Sequence, residues 1–243
     1  DIVCKNDKVY MIIGGKDLLN GKRFDKGGYI LTYDYDKWSF IDPKEAQKKL
    51  NLPRNPRDYT SIAVTTDDSN DEIVYASSMG DGVIQYKNGT PVQSYNEKNA
   101  FKETAGGYGS GYCYIDGLAF DKNGNLWMTS SEVNHAVLVL DKAGAWHRLD
   151  IEQLRGVYTI NDILITSTND KWIYVPRNTP KLVMIPNSES LDEVSSYEFT
   201  TLIDTDGKEL TPSNYTCVAE DKDGYIWVGT NRGAVYFTKT RIS

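Results

Sequence analysis

Two histidines, His135 and His147, are all that this chain offers for imidazole chemistry. A Ser-His-Asp triad needs a positioned histidine base beside its nucleophile. The one tempting serine, Ser110 between Gly109 and Gly111, lacks the strand-to-helix setting of a nucleophile elbow. The glycine run from Gly106 to Gly111 likewise lacks the strand–turn–helix context of a dinucleotide loop and reads as a flexible loop. Cys4, Cys113 and Cys217 are odd in number and stand at no metal-binding spacing, so they predict small buried or half-buried residues. His147 follows Trp146 in a surface strand. His135 sits in the Ser131–Ala136 loop, from which it could reach a ligand.

Three acidic turns, at Asp121, Asp204 and Asp221, invite a test for calcium. An EF-hand loop places glycine sixth and glutamate twelfth. Here glycine falls fourth each time, and the twelfth residues are Glu132, Tyr215 and Arg232. Turn formation accounts for all three, with Gly at positive φ and Asp bonding the turn amides. No catalytic residue, metal site or cofactor is assigned.

The richest polar cluster emerges when similar segments are stacked. Gly117–Trp127 reads Gly-Leu-Ala-Phe-Asp-Lys-Asn-Gly-Asn-Leu-Trp, and Cys217–Trp227 reads Cys-Val-Ala-Glu-Asp-Lys-Asp-Gly-Tyr-Ile-Trp. Degenerate copies run from Asp162 to Val175 and from Ser61 to Ser78. Taking Tyr75, Trp127, Ile173 and Trp227 as equivalent gives spacings of about 52, 46 and 54 residues, near the ~40–50-residue period of propeller blades. Each unit is an apolar strand, a tight turn and a second strand whose Trp can fill the gap between twisted sheets.

Third strands are expected at 80–86, 136–140, 181–185 and 233–237, and fourth strands at 93–96, 146–149 and 197–202. Segments 8–14, 28–33 and 37–41 form a divergent first blade. A helix is expected over 43–52, with Asp42 as N-cap, Pro43 at N1 and Pro53 as the stop. The prediction is an all-β propeller of four-stranded antiparallel blades, about five of them, at roughly 1–42, 59–97, 113–150, 157–203 and 213–240, the last incomplete. Either these five close on themselves or the propeller is part of a larger one.

In that frame the connections before each first strand share a face with the loops after the Trp strands. Tyr59, Tyr112, Tyr114, Asp116, Asn161, Asn214 and Tyr215 come from the former, and His135, Arg177 and Arg232 from the latter. Aromatic faces beside planar polar groups suit sugars. The competing reading is that the tyrosines plug gaps between blades while the polar groups solvate a loop surface.

The pattern from Asp221 to Gly233 (Asp-Lys-Asp-Gly-Tyr-Ile-Trp-Val-Gly-Thr-Asn-Arg-Gly) resembles the two-component regulator propeller repeat. A closer likeness, over about 59–237, is to the PorZ-like propellers of the type IX secretion system of Bacteroidetes. It rests on Gly111–Tyr114 leading into Gly117–Trp127, on Asn169–Arg177, and on Pro212–Gly224. This resemblance implies an exported binding or scaffold propeller at the periplasm or outer cell surface, holding a lipopolysaccharide-type glycan or a partner protein. The repeat family also implies an alternative, the polysaccharide-sensing propeller of a hybrid two-component sensor kinase. A metal-dependent propeller lactonase or lyase is a further alternative, and it requires a ring of Glu, Asn, Asp or His at the channel centre.

Composition sets the outer bounds. At 243 residues, 40% apolar and 12% aromatic with 17 tyrosines, the chain is a folded, strand-rich protein, long enough to bury about 70% of its surface. Its net charge of −7 is spread along the chain, which argues against wrapping nucleic acid or anionic lipid. No apolar run approaches the ~18 residues of a membrane span, and no signal peptide opens the chain. The abrupt start in strand-like sequence at Asp1 reads as a mature or trimmed fragment.

Overall fold

The computed structural model describes residues 1–17, 22–106, 108–109, 111–192 and 194–237. Its backbone forms successive antiparallel sheets, each built from strands in chain order. The first comprises β1 (Ile2–Lys5), β2 (Lys8–Ile12), β3 (Ile30–Asp34) and β4 (Lys37–Ile41). Asn6 and Asp7, at φ 51° and 60°, make the two-residue turn that adds β1, a strand not separately expected from the sequence. Helix α1 (Pro43–Leu50) follows. Asp42 caps it by accepting from the Lys44 amide at 2.9 Å, and Asn51 ends it two residues early by turning left-handed at φ 52°.

The second sheet holds β5 (Tyr59–Thr66), β6 (Glu72–Gly80), β7 (Gly82–Lys87) and β8 (Thr90–Tyr95). The third holds β9 (Cys113–Phe120), β10 (Leu126–Ser130), β11 (Val137–Leu140) and β12 (Trp146–Leu149). These two are joined edge to edge at their inner ends, where Met79 pairs with Tyr114 and Gly80 with Cys113. The fourth holds β13 (Ile163–Ile165), β14 (Lys171–Val175), β15 (Lys181–Ile185) and β16 (Tyr197–Phe199). Leu202 leaves that sheet. Its residues β17 (Leu202–Ile203) pair instead with β18 (Glu209–Leu210), because Asp204 Oδ1 gathers the Asp206 and Lys208 amides into a turn between them. The last sheet has three strands, β19 (Tyr215–Glu220), β20 (Ile226–Thr230) and β21 (Gly233–Phe237).

The arrangement is a β-propeller architecture, and its packing explains the sequence pattern. Along β10, Leu126 and Met128 enter the core shared with the second sheet, while Trp127 enters the core shared with the fourth. Strand β14 repeats this: Ile173 and Val175 face the third sheet, Trp172 and Tyr174 the fifth. Side chains alternate faces with period two, so a sheet covered on both sides reads as an almost unbroken apolar run. The outer faces of the first and last sheets differ. Trp38 and Phe40 are 57% and 67% exposed, and Trp227 and Tyr236 are 40% and 55% exposed.

Candidate functional site

The inner end of β9 gathers the densest polar network. Gly14 and Gly15, at φ +125° and +101°, turn the chain after β2 tightly against Asp58 and Tyr59. A Cβ on Gly14 would lie 2.6 Å from the Asp58 Cα, so only glycine permits the approach. That turn delivers Lys16 inward. Its ammonium pairs with Asp116, donates to the Ile160 carbonyl at 3.1 Å and lies 5.0 Å over the Tyr114 ring. Ser131 donates to the other Asp116 oxygen at 2.6 Å and accepts from the Ile160 amide at 2.8 Å. Burial raises the Asp116 carboxyl above its ordinary range, opposed by Lys16, Ser131 and the Tyr114 hydroxyl. Both carboxylate oxygens are engaged, so this network braces the first, third and fourth sheets.

Outward of the brace lies an aromatic shelf. The Tyr112 ring stacks on Tyr108 at 4.5 Å and meets Tyr114 edge-on at 6.4 Å. The Tyr108 and Tyr158 hydroxyls stand 3.4 Å apart, and these two rings are 47% and 52% exposed. Glu132 sits behind them in the left-handed region at φ 62°, an uncommon place for a residue with a Cβ. Burial, then the nearby Asp116 charge, pushes its carboxyl up, while a hydrogen bond from Tyr108 pulls it down. Its Oε1 and the Thr159 hydroxyl are buried without a hydrogen-bond partner among the described residues, while the Arg23 charge acts on the Tyr112 hydroxyl.

A second recess, of about 130 Å³, opens between the fourth and fifth sheets. Asp162, Tyr174 and Cys217 supply its polar groups. Asp162 is open to the recess yet walled by protein. That partial loss of water pushes its carboxyl up to about 6, against the pull of the Ile163 amide. Tyr174 donates to the Thr216 carbonyl at 3.2 Å. Among the described residues no group of three or more His, Cys, Asp or Glu is placed to hold a metal ion.

The sequence-derived site residues divide among these places. Tyr112, Tyr114 and Asp116 meet in the shelf and brace, and the Arg177 charge acts on Tyr114. Asn161 joins them from the fourth sheet, its amide donating to Tyr174 and its carbonyl accepting from Thr129 at 2.9 Å. Tyr59 is a core residue that shares a 2.6 Å hydroxyl contact with Tyr86. Tyr215 is also fully buried, its amide donating to the Pro176 carbonyl at 3.1 Å. His135 is held to one side by Glu103 at 2.6 Å, above a void of about 10 Å³ with room for one water. Asn214 and Arg232 belong to the fifth-sheet turn, where Asn231 donates to the Asn214 carbonyl and Arg232 to Thr230. Lys16 and Tyr108 escaped the sequence reading as site residues, whereas Glu132 lies in the Glu132–His135 loop that the sequence places on the rim. The Gly-Gly step before Lys16 was the one local signal, and Tyr108 lay in a run read as flexible loop.

Residues 209–232 match the two-component regulator propeller family. No curated protein matches the chain in sequence. Among solved structures, the chain is similar to PorZ, a surface component of the type-IX secretion system of Porphyromonas gingivalis. The TM-score is 0.81 at 18% identity, over 97% of this chain and 32% of that one. It is also similar to the extracellular domain of a hybrid two-component system from B. thetaiotaomicron, with TM-score 0.63, 15% identity, and 100% and 28% coverage. A third is virginiamycin B lyase from Staphylococcus aureus, with TM-score 0.58, 15% identity, and 98% and 68% coverage. The chain thus spans about a third of the first of these proteins. At such identities the likeness shows the β-propeller fold. No helix among the described residues is long and apolar enough to cross a membrane.

Proposed function

We propose that this chain is a non-enzymatic binding propeller, working in the periplasm or at the outer cell surface, that holds a lipopolysaccharide-type glycan or a partner protein at the loop-rich end of its sheets. The observation that carries the reading is the shelf itself. Two half-exposed tyrosines lie over a braced polar network, an arrangement with flat apolar faces beside hydrogen-bonding groups. The location is supported by the surface and extracellular settings named for the similar structures. A glycan array together with a lipopolysaccharide pull-down tests it. Retention of a glycan by the folded chain is the expected result, and failure of every glycan to bind overturns the glycan arm in favour of a protein partner. The regulator-repeat match at 209–232 favours a second reading, the sensory propeller of a two-component system, in which the same face reports a polysaccharide fragment.

A further inference from the structure

Lys16, Arg23 and His135 near the shelf each face a carboxylate and the Arg177 charge acts on Tyr114, while Glu132 has no cation paired with it among the described residues. Lys16 is neutralised by Asp116, Arg23 by Asp58 and Asp25, and His135 is engaged by Glu103. Glu132 lies beside the Tyr108 hydroxyl, and its Oε1 is left without a hydrogen-bond partner among the described residues. A carboxylate accepts and never donates when ionised, and Asp116 nearby adds to the negative potential. One face of Tyr108 is covered by Tyr112, leaving the rest of the ring, and Tyr158 beside it, to meet an incoming group.

We propose that Tyr108, Tyr158 and Glu132 form a sugar subsite that accepts an uncharged or amino sugar and rejects uronic, sulfated or phosphorylated ones. The inference rests on the glycan reading above and assigns its chemical class. The tyrosine rings stack on the apolar face of a pyranose, and the Glu132 carboxylate takes a hydrogen bond from a sugar hydroxyl or ammonium. An anionic sugar would bring a second negative charge against Glu132, and Lys16, Arg23 and His135 are already engaged by carboxylates. The strained backbone of Glu132 fits a residue held for its side chain rather than for its turn.

The test is titration calorimetry of the whole chain with equal-length oligomers of glucose, glucosamine and galacturonate, backed by an array sorted by charge. Binding of the glucose or glucosamine oligomer, with galacturonate at least tenfold weaker, is the expected result. Y108A and Y158A lie at exposed positions and leave the fold intact; each weakens binding roughly three- to tenfold. E132Q weakens the neutral oligomer about tenfold and narrows the gap to galacturonate, a change in selectivity that a merely structural role would not produce. Binding confined to anionic glycans, or unaltered by all three variants, overturns the subsite while leaving the glycan reading in place. Absence of any glycan binding removes both.

Discussion

Trp127 donates its indole N–H to Asp121 Oδ2 at 3.0 Å, and Trp227 repeats the bond to Asp221 at 2.7 Å. In both turns the other carboxylate oxygen takes the amides two and four residues on, those of Asn123 and Asn125 in one and Asp223 and Tyr225 in the other. The acidic turn is therefore a device that holds the tryptophan, which is why its geometry departs from a cation loop. The two copies differ in burial: Trp127 is 1% exposed and Trp227 is 40% exposed. Replacing Asp121 by Ala strands a buried indole N–H and two turn amides, and is expected to cost about 2–4 kcal/mol. The same change at Asp221 costs clearly less, because water reaches the exposed indole. Urea unfolding of both variants checks the ordering. Equal losses would mean that the Trp227 face is covered in solution.

The Lys16–Asp116 pair is nearly inaccessible to water, with side chains 5% and 1% exposed. Removing one partner leaves an uncompensated buried charge, so K16A or D116A alone is expected to lose about 3–5 kcal/mol. K16M combined with D116L replaces the pair by apolar groups and recovers most of that loss. A double-mutant cycle by chemical denaturation measures the coupling. Additive losses would show that the brace does not act as a unit.

Asp162 predicts a pH effect of opposite sign to most carboxylates here. Its folded value, pushed up to about 6, lies above the 3.8 of a free side chain. The native state therefore binds more protons between those values, and this group's stabilisation is complete below about 4 and lost as pH rises through about 6. A shift of that size corresponds to about 3 kcal/mol if wholly buried. The open recess screens it, and about 1 kcal/mol is the expected effect. Asp67, Asp141 and Asp221, held low by Lys87, His147 and Trp227 respectively, pull the other way as acid is added. The measurement is thus the difference in melting temperature between the parent and D162N from pH 4 to 7. D162N should gain on the parent as pH rises, and parallel curves would exclude the effect.

Gly117 provides a steric check on how the third and fourth sheets meet. A Cβ there would lie 2.7 Å from the Ile163 amide and 2.9 Å from the Asp162 Cα, both backbone atoms with little room to yield. G117A is expected to destabilise by roughly 1–3 kcal/mol through overpacking. It should also disturb the near-ultraviolet signal of Trp127, which packs at that junction. Wild-type stability would show that the inner strands stand further apart.

Much of the framework was legible in the linear pattern because local rules govern it. Asp42 and Pro43 start the helix by local capping, whereas Asn51, not the expected stop at Pro53, ends it. The Asp-x-x-Gly turns at Asp121 and Asp221 and the tryptophans after them announce the blade unit without reference to anything distant. Strand β17 was missed because Leu202 continues a strand-like run; only the turn at Asp204 draws it away. The pairing of Gly80 with Cys113 was likewise hidden, since edge pairing between sheets depends on their relative placement.

The candidate site shows the division most sharply. Residue type and repeat position brought Tyr112, Tyr114 and Asp116 into view, since they recur at the same point of each unit. Those signals could not separate Tyr59 and Tyr215, whose rings are buried in the packing, from tyrosines at a surface. Lys16 lies 100 residues from Asp116 in the chain, and no periodicity links them. Sequence alone determined the repeated strand–turn–strand unit, because hydrogen bonds and side-chain alternation within a dozen residues specify it. Tertiary structure alone decided which polar groups are spent on bracing the sheets and which, like the Tyr108 and Tyr158 hydroxyls, are left at the surface. Long-range partners consume or spare a side chain's bonding capacity, and only folding brings those partners into contact.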